Sequence, residues 1–294
     1  MTPVLGIGKT GQVAQALASV GGSGVVCAGR PEADLTDPAS LSRTLDATNP
    51  VAVINAGAFT SVDGAESEPE AARALNVTGP GNLASACAER QIPLIHLSTD
   101  CVFDGTKPEP YAPDDAAHPL GAYGRTKLEG EQAVRDLAPK SLVVRVSWIF
   151  SEFGNNFVRT MLKLAQTRSS VTVVCDQFGC PTYAPALAAG LLDMARQTAA
   201  SDFSDWGVYH LAGQGETDRA TMAKLIFDCS QRLGGPFADV VPVQTADYPT
   251  PAKRPLNARL DMSETSRVFG IEMPDWKIGL EKTVGKLIEE LSEE

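Results

Sequence analysis

This sequence predicts a doubly wound α/β fold, with a parallel sheet covered by helices on both faces. Three observations carry the prediction. Through residues 1–150, short apolar runs alternate with segments of helical period; several of those runs are apolar throughout; and a glycine-rich turn joins the first run to the first helical segment. Repeated strand–helix–strand crossovers set parallel strands side by side under two helical layers, so the strands lose the in–out alternation of a half-exposed sheet.

The strand candidates are "PVLGIG" (3–8), "GVVCAG" (24–29), "VAVIN" (51–55), "PLIHLS" (93–98) and "SLVVRVS" (141–147). Between them "TGQVAQALASV", "PASLSRTLDA", "VTGPGNLASACAER" and "GRTKLEGEQAVRDL" offer helical faces. After about residue 150 the rhythm breaks. "NNFVRTMLKLAQ", "APALAAGLLDMARQ" and "TDRATMAKLIFDCS" read as helices, and "SSVTVVCDQFGCPTY" and "WGVYHLAG" as short strands and turns. Prolines interrupt regular structure over 248–261, and "WKIGLEKTVGKLIEELSEE" closes the chain as an acidic helix. The expected division is a sheet domain over 1–150, with later segments returning to it, and a smaller discontinuous α/β region over 151–294.

At 294 residues the chain can bury a large core. A net charge of -11 disfavours a nucleic-acid backbone as partner, and no apolar run approaches the length of a bilayer span. The six cysteines are scattered, which reads as reduced thiols and a cytoplasmic setting.

"GIGKTGQVAQAL" puts Gly6, Gly8 and Gly11 between the first strand and first helix. A glycine turn lets the backbone approach a pyrophosphate, and the helix N-terminus adds unpaired N–H groups and a favourable dipole. The pattern is a Rossmann-like dinucleotide cradle, with Gly8, Lys9, Thr10, Gly11, Gln12 and Val13 against the cofactor. Where a carboxylate would grip the ribose of NAD, the second strand ends in Gly29-Arg30. A guanidinium there suits a 2′-phosphate, so NADPH is the expected cofactor, with NADH as a second donor. Asp34 and Leu35 border the adenine in this reading. Asn55, Ala56, Gly57 and Ala58 follow the third strand, where small residues permit close passage of the cofactor.

"IHLSTDCVFDG" places Ser98, Thr99 and Asp100 at the carboxyl end of a buried strand, the edge at which open parallel sheets bind ligands. Tyr123 and Lys127 lie one helical turn apart on one face. Beside a nicotinamide these groups make coherent chemistry. Hydride attack on a carbonyl needs a proton delivered to its oxygen, and a phenol can deliver it. The neighbouring ammonium is expected to lower the Tyr123 pKa and to hold the nicotinamide ribose. Thr99 orients the substrate oxygen. The catalytic set is therefore Thr99, Tyr123 and Lys127.

The sequence resembles the extended short-chain dehydrogenase/reductase family. Within it, the chain is similar over essentially its whole length to the branch that reduces dTDP-4-dehydro-beta-L-rhamnose to dTDP-L-rhamnose with NAD(P)H. The resemblance rests on "GKTGQVA", "NAGAFTSVDGAESEPE", "STDCVFDG", "YGRTK", "VRVSWIF", "GNNFVRTM", "DQFGCPT" and "YPTPAKRPLNARLD", the last three being the most specific to that branch. It implies a nucleotide-sugar substrate contacted by Asp100, Trp148, Asn155, Asn156, Gln177, Pro181 and Thr182. It also implies that Arg254, Asn257 and Arg259 meet the diphosphate or support its loop, and that Asn76 supports the active site.

Three departures qualify the resemblance. Ala14 stands where the glycine turn often has a third glycine. Cys101 stands where the branch has a tyrosine after Ser-Thr-Asp, which removes a phenolic contact to substrate. Some members join two subunits through magnesium, but Ala16 occupies the first-helix carboxylate position, so no metal is expected. A homodimer through apolar faces of the first and last helices remains compatible with this, the tail "EELSEE" being solvent-facing charge. Two alternatives stand beside the reductase. A sugar dehydratase or epimerase shares Tyr-x-x-x-Lys, although the acidic pair of a dehydratase is incomplete at Asp100-Cys101. A non-catalytic dinucleotide-binding regulatory subunit is disfavoured by the intact Thr99, Tyr123 and Lys127.

Overall fold

The computed structural model describes residues 2–293. The first half of the chain supplies β1 (Val4–Ile7), α1 (Gln12–Gly21), β2 (Val25–Ala28), α2 (Pro38–Thr48), β3 (Ala52–Asn55), the short helices α3 (Gly64–Ser67) and α4 (Pro69–Arg73), α5 (Gly79–Glu89), β4 (Leu94–Thr99), α6 (Ala122–Leu137) and β5 (Ser141–Val146). The second half adds β6 (Ile149–Phe150), α7 (Phe157–Ala165), β7 (Ser170–Val174), β8 (Phe178–Gly179), β9 (Thr182–Tyr183), α8 (Ala184–Thr198), β10 (Gly207–His210), β11 (Thr217–Asp218), α9 (Arg219–Arg232), β12 (Asp239–Val243), β13 (Asn257–Ala258), α10 (Ser263–Phe269) and α11 (Trp276–Glu293).

Six strands form one sheet in the order β10-β5-β4-β3-β1-β2, and every neighbouring pair is parallel. The order reverses beside β1, where the chain steps first to β2 and then back across to β3. This switch point opens a crevice at the carboxyl ends of β1 and β3. β1, β3, β4 and β5 are buried at every position, which explains their unbroken apolar runs. β2 is one of the two edge strands and is only partly covered.

Leu17 of α1 and Leu187 and Leu191 of α8 share one core with Ile54, Ile95 and Val144 of the sheet. Leu41 of α2, Leu83 of α5 and Val134 of α6 build a second core with Leu5, Val53 and Val143. Thus α8 and β10, although late in the chain, lie with the elements of its first half. A third core gathers Val158 and Leu162 of α7, Ile226 and Phe227 of α9 and Trp276, Leu280 and Val284 of α11. The buried faces of α1 and α11 are thus used within the chain, while Val20 of α1 and Ile278 of α11 stay exposed. Of the acidic tail, Glu289 and Glu290 are exposed, and the solvent-facing role expected of Glu294 lies outside the described residues. No helix among the described residues is long and apolar enough to cross a membrane.

The segment expected to be one regular helix from residue 77 differs. Residues 74–78 wind as a π turn before α5 begins. Pro80 has no N–H to offer the carbonyl of Asn76, so the ordinary ladder breaks and Gly79 N–H reaches back to Ala74 O. The widened turn buries the Asn76 side chain completely.

Candidate active site

The glycine turn supplies one wall of the crevice. Gly8 has a φ of 121°, a backbone state only glycine adopts without strain, and a Cβ there would lie 3.5 Å from the backbone of Ala56 and Gly57. Gly11 is the N-cap of α1 and no side chain caps that helix. Its first N–H groups are thus left for a ligand, and a Cβ on Gly11 would meet nothing within 4 Å. Unpaired amides facing open space fit a pyrophosphate. Ala14 is buried with its Cβ 3.5 Å from the position a Gly8 Cβ would take, so the methyl in place of a third glycine is accommodated.

The opposite wall comes from β4 and α6. Asn76 fastens it: Oδ1 accepts from Phe59 N at 2.9 Å, while Nδ2 donates to Phe59 O and to Thr126 Oγ1, both at 3.1 Å. Thr126 in turn donates to Tyr123 O at 2.9 Å. Gly124 lets α6 approach the end of β4, since a Cβ there would fall 2.1 Å from Cys101 O. Thr99 Oγ1 donates to Asp100 Oδ1 at 2.9 Å and accepts from Cys101 N at 3.1 Å. Asp100 Oδ2 is buried without a hydrogen-bond partner, and burial pushes the carboxyl above its usual range.

Thr99, Tyr123 and Lys127 all line one cavity of about 540 Å³. Their electrostatics differ from the sequence expectation. Burial pushes the Tyr123 phenol well above its ordinary value, reinforced by Cys101 and Asp100 and opposed by the Thr99 hydroxyl. The adjacent Lys127 does not outweigh that burial. The Lys127 ammonium donates to Leu97 O at 2.7 Å, and burial pulls it down to about 8 while Glu131 pulls it up. Glu131, one further turn along α6, forms a buried pair with Arg145 of β5: Nε to Oε1 at 3.0 Å and Nη2 to Oε2 at 2.7 Å. Ser98 Oγ also donates to Glu131 Oε1. A phenol whose pKa is held up stays protonated and is loaded as a donor, which suits reduction.

The cavity unites Thr10, Gly11, Gln12 and Val13 with Asn55, Ala56, Gly57 and Ala58, and these with Asp100, Trp148, Asn155, Gln177 and Arg254. Other expected residues lie outside its lining. Lys9 and Arg30 are exposed, the latter just past the end of β2, while Leu35 is buried and Asp34 Oδ1 accepts from Thr36 N and Oγ1, each at 2.8 Å. Asn156 caps α7 and donates to Gln12 Oε1 at 3.1 Å and Ser151 O at 2.7 Å, so its amide braces the loop. Thr182 is buried between Cys180 O and Gly213 N, each 3.1 Å from its hydroxyl, and Pro181 is buried beside it. Asn257 donates to Lys107 O at 2.6 Å and Glu109 O at 2.8 Å. Arg259 is engaged by Glu216 at 2.9 and 3.0 Å and by Asn257 Oδ1 at 2.8 Å. These last four side chains hold loops together instead of facing the cavity, because each already has its partners or packing inside the chain.

Sequence reasoning missed Arg219, which lines the cavity from the start of α9. It also missed the Glu131–Arg145 pair. The available signal for Glu131 was its spacing four residues after Lys127 on the same helix face.

Residues 1–289 match the family described as the RmlD substrate binding domain. The chain is similar to the dTDP-4-dehydrorhamnose reductase of Sinorhizobium fredii, with 41% identity over 284 residues, 96% of this chain and 96% of that protein. Among solved structures it is similar to a dTDP-4-dehydrorhamnose reductase from Clostridium acetobutylicum, with a TM-score of 0.88 and 32% identity over 99% of this chain and 100% of that one. It is likewise similar to the Bacillus anthracis dTDP-4-dehydrorhamnose reductase solved in complex with NADP. There the TM-score is 0.88 and the identity 30%, over 96% of this chain and 98% of that one.

Proposed function

Because the chain belongs to the family of the RmlD substrate binding domain, we propose that it reduces the 4-keto group of dTDP-4-dehydro-beta-L-rhamnose to give dTDP-L-rhamnose, with NADPH as hydride donor. The observation that carries this reading is one cavity holding both an uncapped glycine-turn helix and the set Thr99, Tyr123 and Lys127. The dinucleotide, when bound, supplies a hydride to the carbonyl carbon. Every other demand falls on the chain. The first N–H groups of α1 receive the pyrophosphate, and Asn55 to Ala58 lie along the nicotinamide half. Tyr123 gives its phenolic proton to the carbonyl oxygen as that oxygen gains charge, and solvent restores the proton afterwards. Thr99 fixes the oxygen's position. Lys127, with one N–H spent on Leu97 O, has two left for the ribose hydroxyls. Its charge also favours the phenolate that forms.

In this reading the first half of the chain, with α8 and β10, binds the dinucleotide, and the third core carries the sugar-nucleotide side. Six free cysteines support a reducing compartment, so we place the protein in the cytoplasm. A homodimer that needs no magnesium belongs to the same reading, and sedimentation before and after chelation tests it. The activity is tested by NADPH oxidation with freshly generated 4-keto-6-deoxy nucleotide-sugar, comparing the native chain with Tyr123→Phe. The variant should fold and bind NADPH while turnover falls by about 10²–10⁴-fold. Near-native turnover in the variant would remove Tyr123 from the mechanism.

A further inference from the structure

Among the described residues three cationic side chains line the cavity, and two of them are engaged. Lys127 donates to Leu97 O, and Arg254 pairs with Asp63 at 2.8 Å. Arg219 is different. Among the described residues it has no hydrogen-bond or ion-pair partner, yet it is half-buried and lines the same cavity as Thr99 and Tyr123. Its guanidinium carbon stands 3.5 Å from the centroid of the Trp148 ring and 5.2 Å from that of Phe157.

Trp148 is itself fixed. It has a φ of 44°, a strained state for an aromatic residue, and a Cβ on Gly179 would fall 2.5 Å from its ring. A guanidinium stacked on a fixed ring has its plane set, with its N–H donors directed edge-on. Burial pulls Arg219 down to about 10, with Asp100 opposing, so a half-buried cation is kept without a carboxylate in hydrogen-bond contact among the described residues. Such an arrangement is completed by an anion, and a planar donor fork matches phosphate oxygens in pairs.

Two diphosphates could reach this cavity, that of the cofactor and that of the substrate. The α1 amides already provide for the first, from the β1 side. Arg219 instead rises from α9 against Trp148, with Asp100 and Arg254 as the charges near it. We infer that Arg219, held edge-on by Trp148, receives the diphosphate of the nucleotide-sugar and so determines that a nucleoside diphosphate derivative is bound. The inference rests on the reductase reading and adds the group that recognises the substrate's anionic part.

The test measures dissociation constants of the full chain for dTDP, thymidine and NADPH by calorimetry, in the native protein, Arg219→Met and Arg219→Lys. In Arg219→Met the dTDP constant should rise roughly ten- to a hundredfold. Thymidine and NADPH should stay within about twofold, which also shows that the variant is folded. Arg219→Lys, which keeps the charge without the planar fork, should fall between, and in turnover KM should rise while kcat holds. Unchanged dTDP affinity in both variants overturns the inference while leaving the reductase reading in place. Equal losses for dTDP and thymidine overturn it in favour of a packing role. A loss confined to NADPH overturns it in favour of the cofactor's pyrophosphate. A native chain that binds no dTDP overturns the reductase reading and the inference with it.

Discussion

Glu131→Gln is the most instructive single change behind the site. The Glu131 and Arg145 side chains are 3% and 5% exposed, and the pair is joined by two hydrogen bonds. The amide keeps the shape but presents an NH2 toward guanidinium donors and leaves the Arg145 charge without compensation. Breaking a buried pair from one side costs about 3–5 kcal/mol. For a chain of this size that is a fall in melting temperature on the order of 10 °C. The other Arg145 contacts, Pro113 O at 3.1 Å and the Phe103 ring at 5.0 Å, do not supply a negative charge. The double variant Glu131→Gln with Arg145→Met should recover part of the loss, because the stranded charge is gone. Activity should respond as well. Glu131 raises the Lys127 pKa against burial, so in the single variant activity should disappear at lower pH as Lys127 deprotonates sooner. Thermal and urea denaturation, with pH–rate profiles of both variants, measure these effects. A Glu131→Gln protein within about 1 kcal/mol of native, or a double variant no better than the single, would refute the reasoning.

Other outcomes follow from the same geometry. Lys127→Met should abolish most turnover and weaken NADPH, yet stabilise the ligand-free chain near pH 7 on the order of 2 kcal/mol, after allowance for the lost bond to Leu97 O. The sign follows from a folded pKa of about 8 against about 10.4 unfolded: between them the unfolded chain holds the extra proton, so native stability rises with pH and the variant's advantage shrinks. Denaturation from pH 7 to 10.5 checks this, and a constant advantage would contradict it. Arg30→Ala should weaken NADPH by roughly 1.5–3 kcal/mol and leave NADH nearly unchanged. Equal changes in the two dissociation constants would return Arg30 to the solvated surface.

Much of this was legible in the sequence, for a physical reason. β1, β3, β4 and β5 are buried on both faces, so their apolar runs report their place directly. The glycine turn and the Tyr123–Lys127 spacing are local, and local geometry survives reading along a chain. What escaped depends on partners distant in sequence. Arg219 sits in "TDRATMAKL", which shows only a helical period, and its meaning comes from Trp148. Arg259 looked available for a diphosphate because nothing nearby in sequence reveals Glu216 as its partner. The direction of the Tyr123 shift was misjudged because burial, a property of the assembled fold, outweighs the adjacent lysine. That later segments return to the sheet is expected from the sequence, but which strand does so, β10 beside β5, is set by packing and not by its own four residues.

The central claim is that this cavity moves a hydride onto the 4-keto carbon while Tyr123 protonates the oxygen. The most direct measurement uses NADPH deuterated at the nicotinamide C4 position that donates, with dTDP-4-dehydro-beta-L-rhamnose, and locates the label in the product by NMR. The account predicts dTDP-L-rhamnose carrying one deuterium at the sugar C4, formed in step with NADPH loss and nearly absent with Tyr123→Phe. Unlabelled product, deuterium at another carbon, or undiminished labelling in the Tyr123→Phe protein would contradict it.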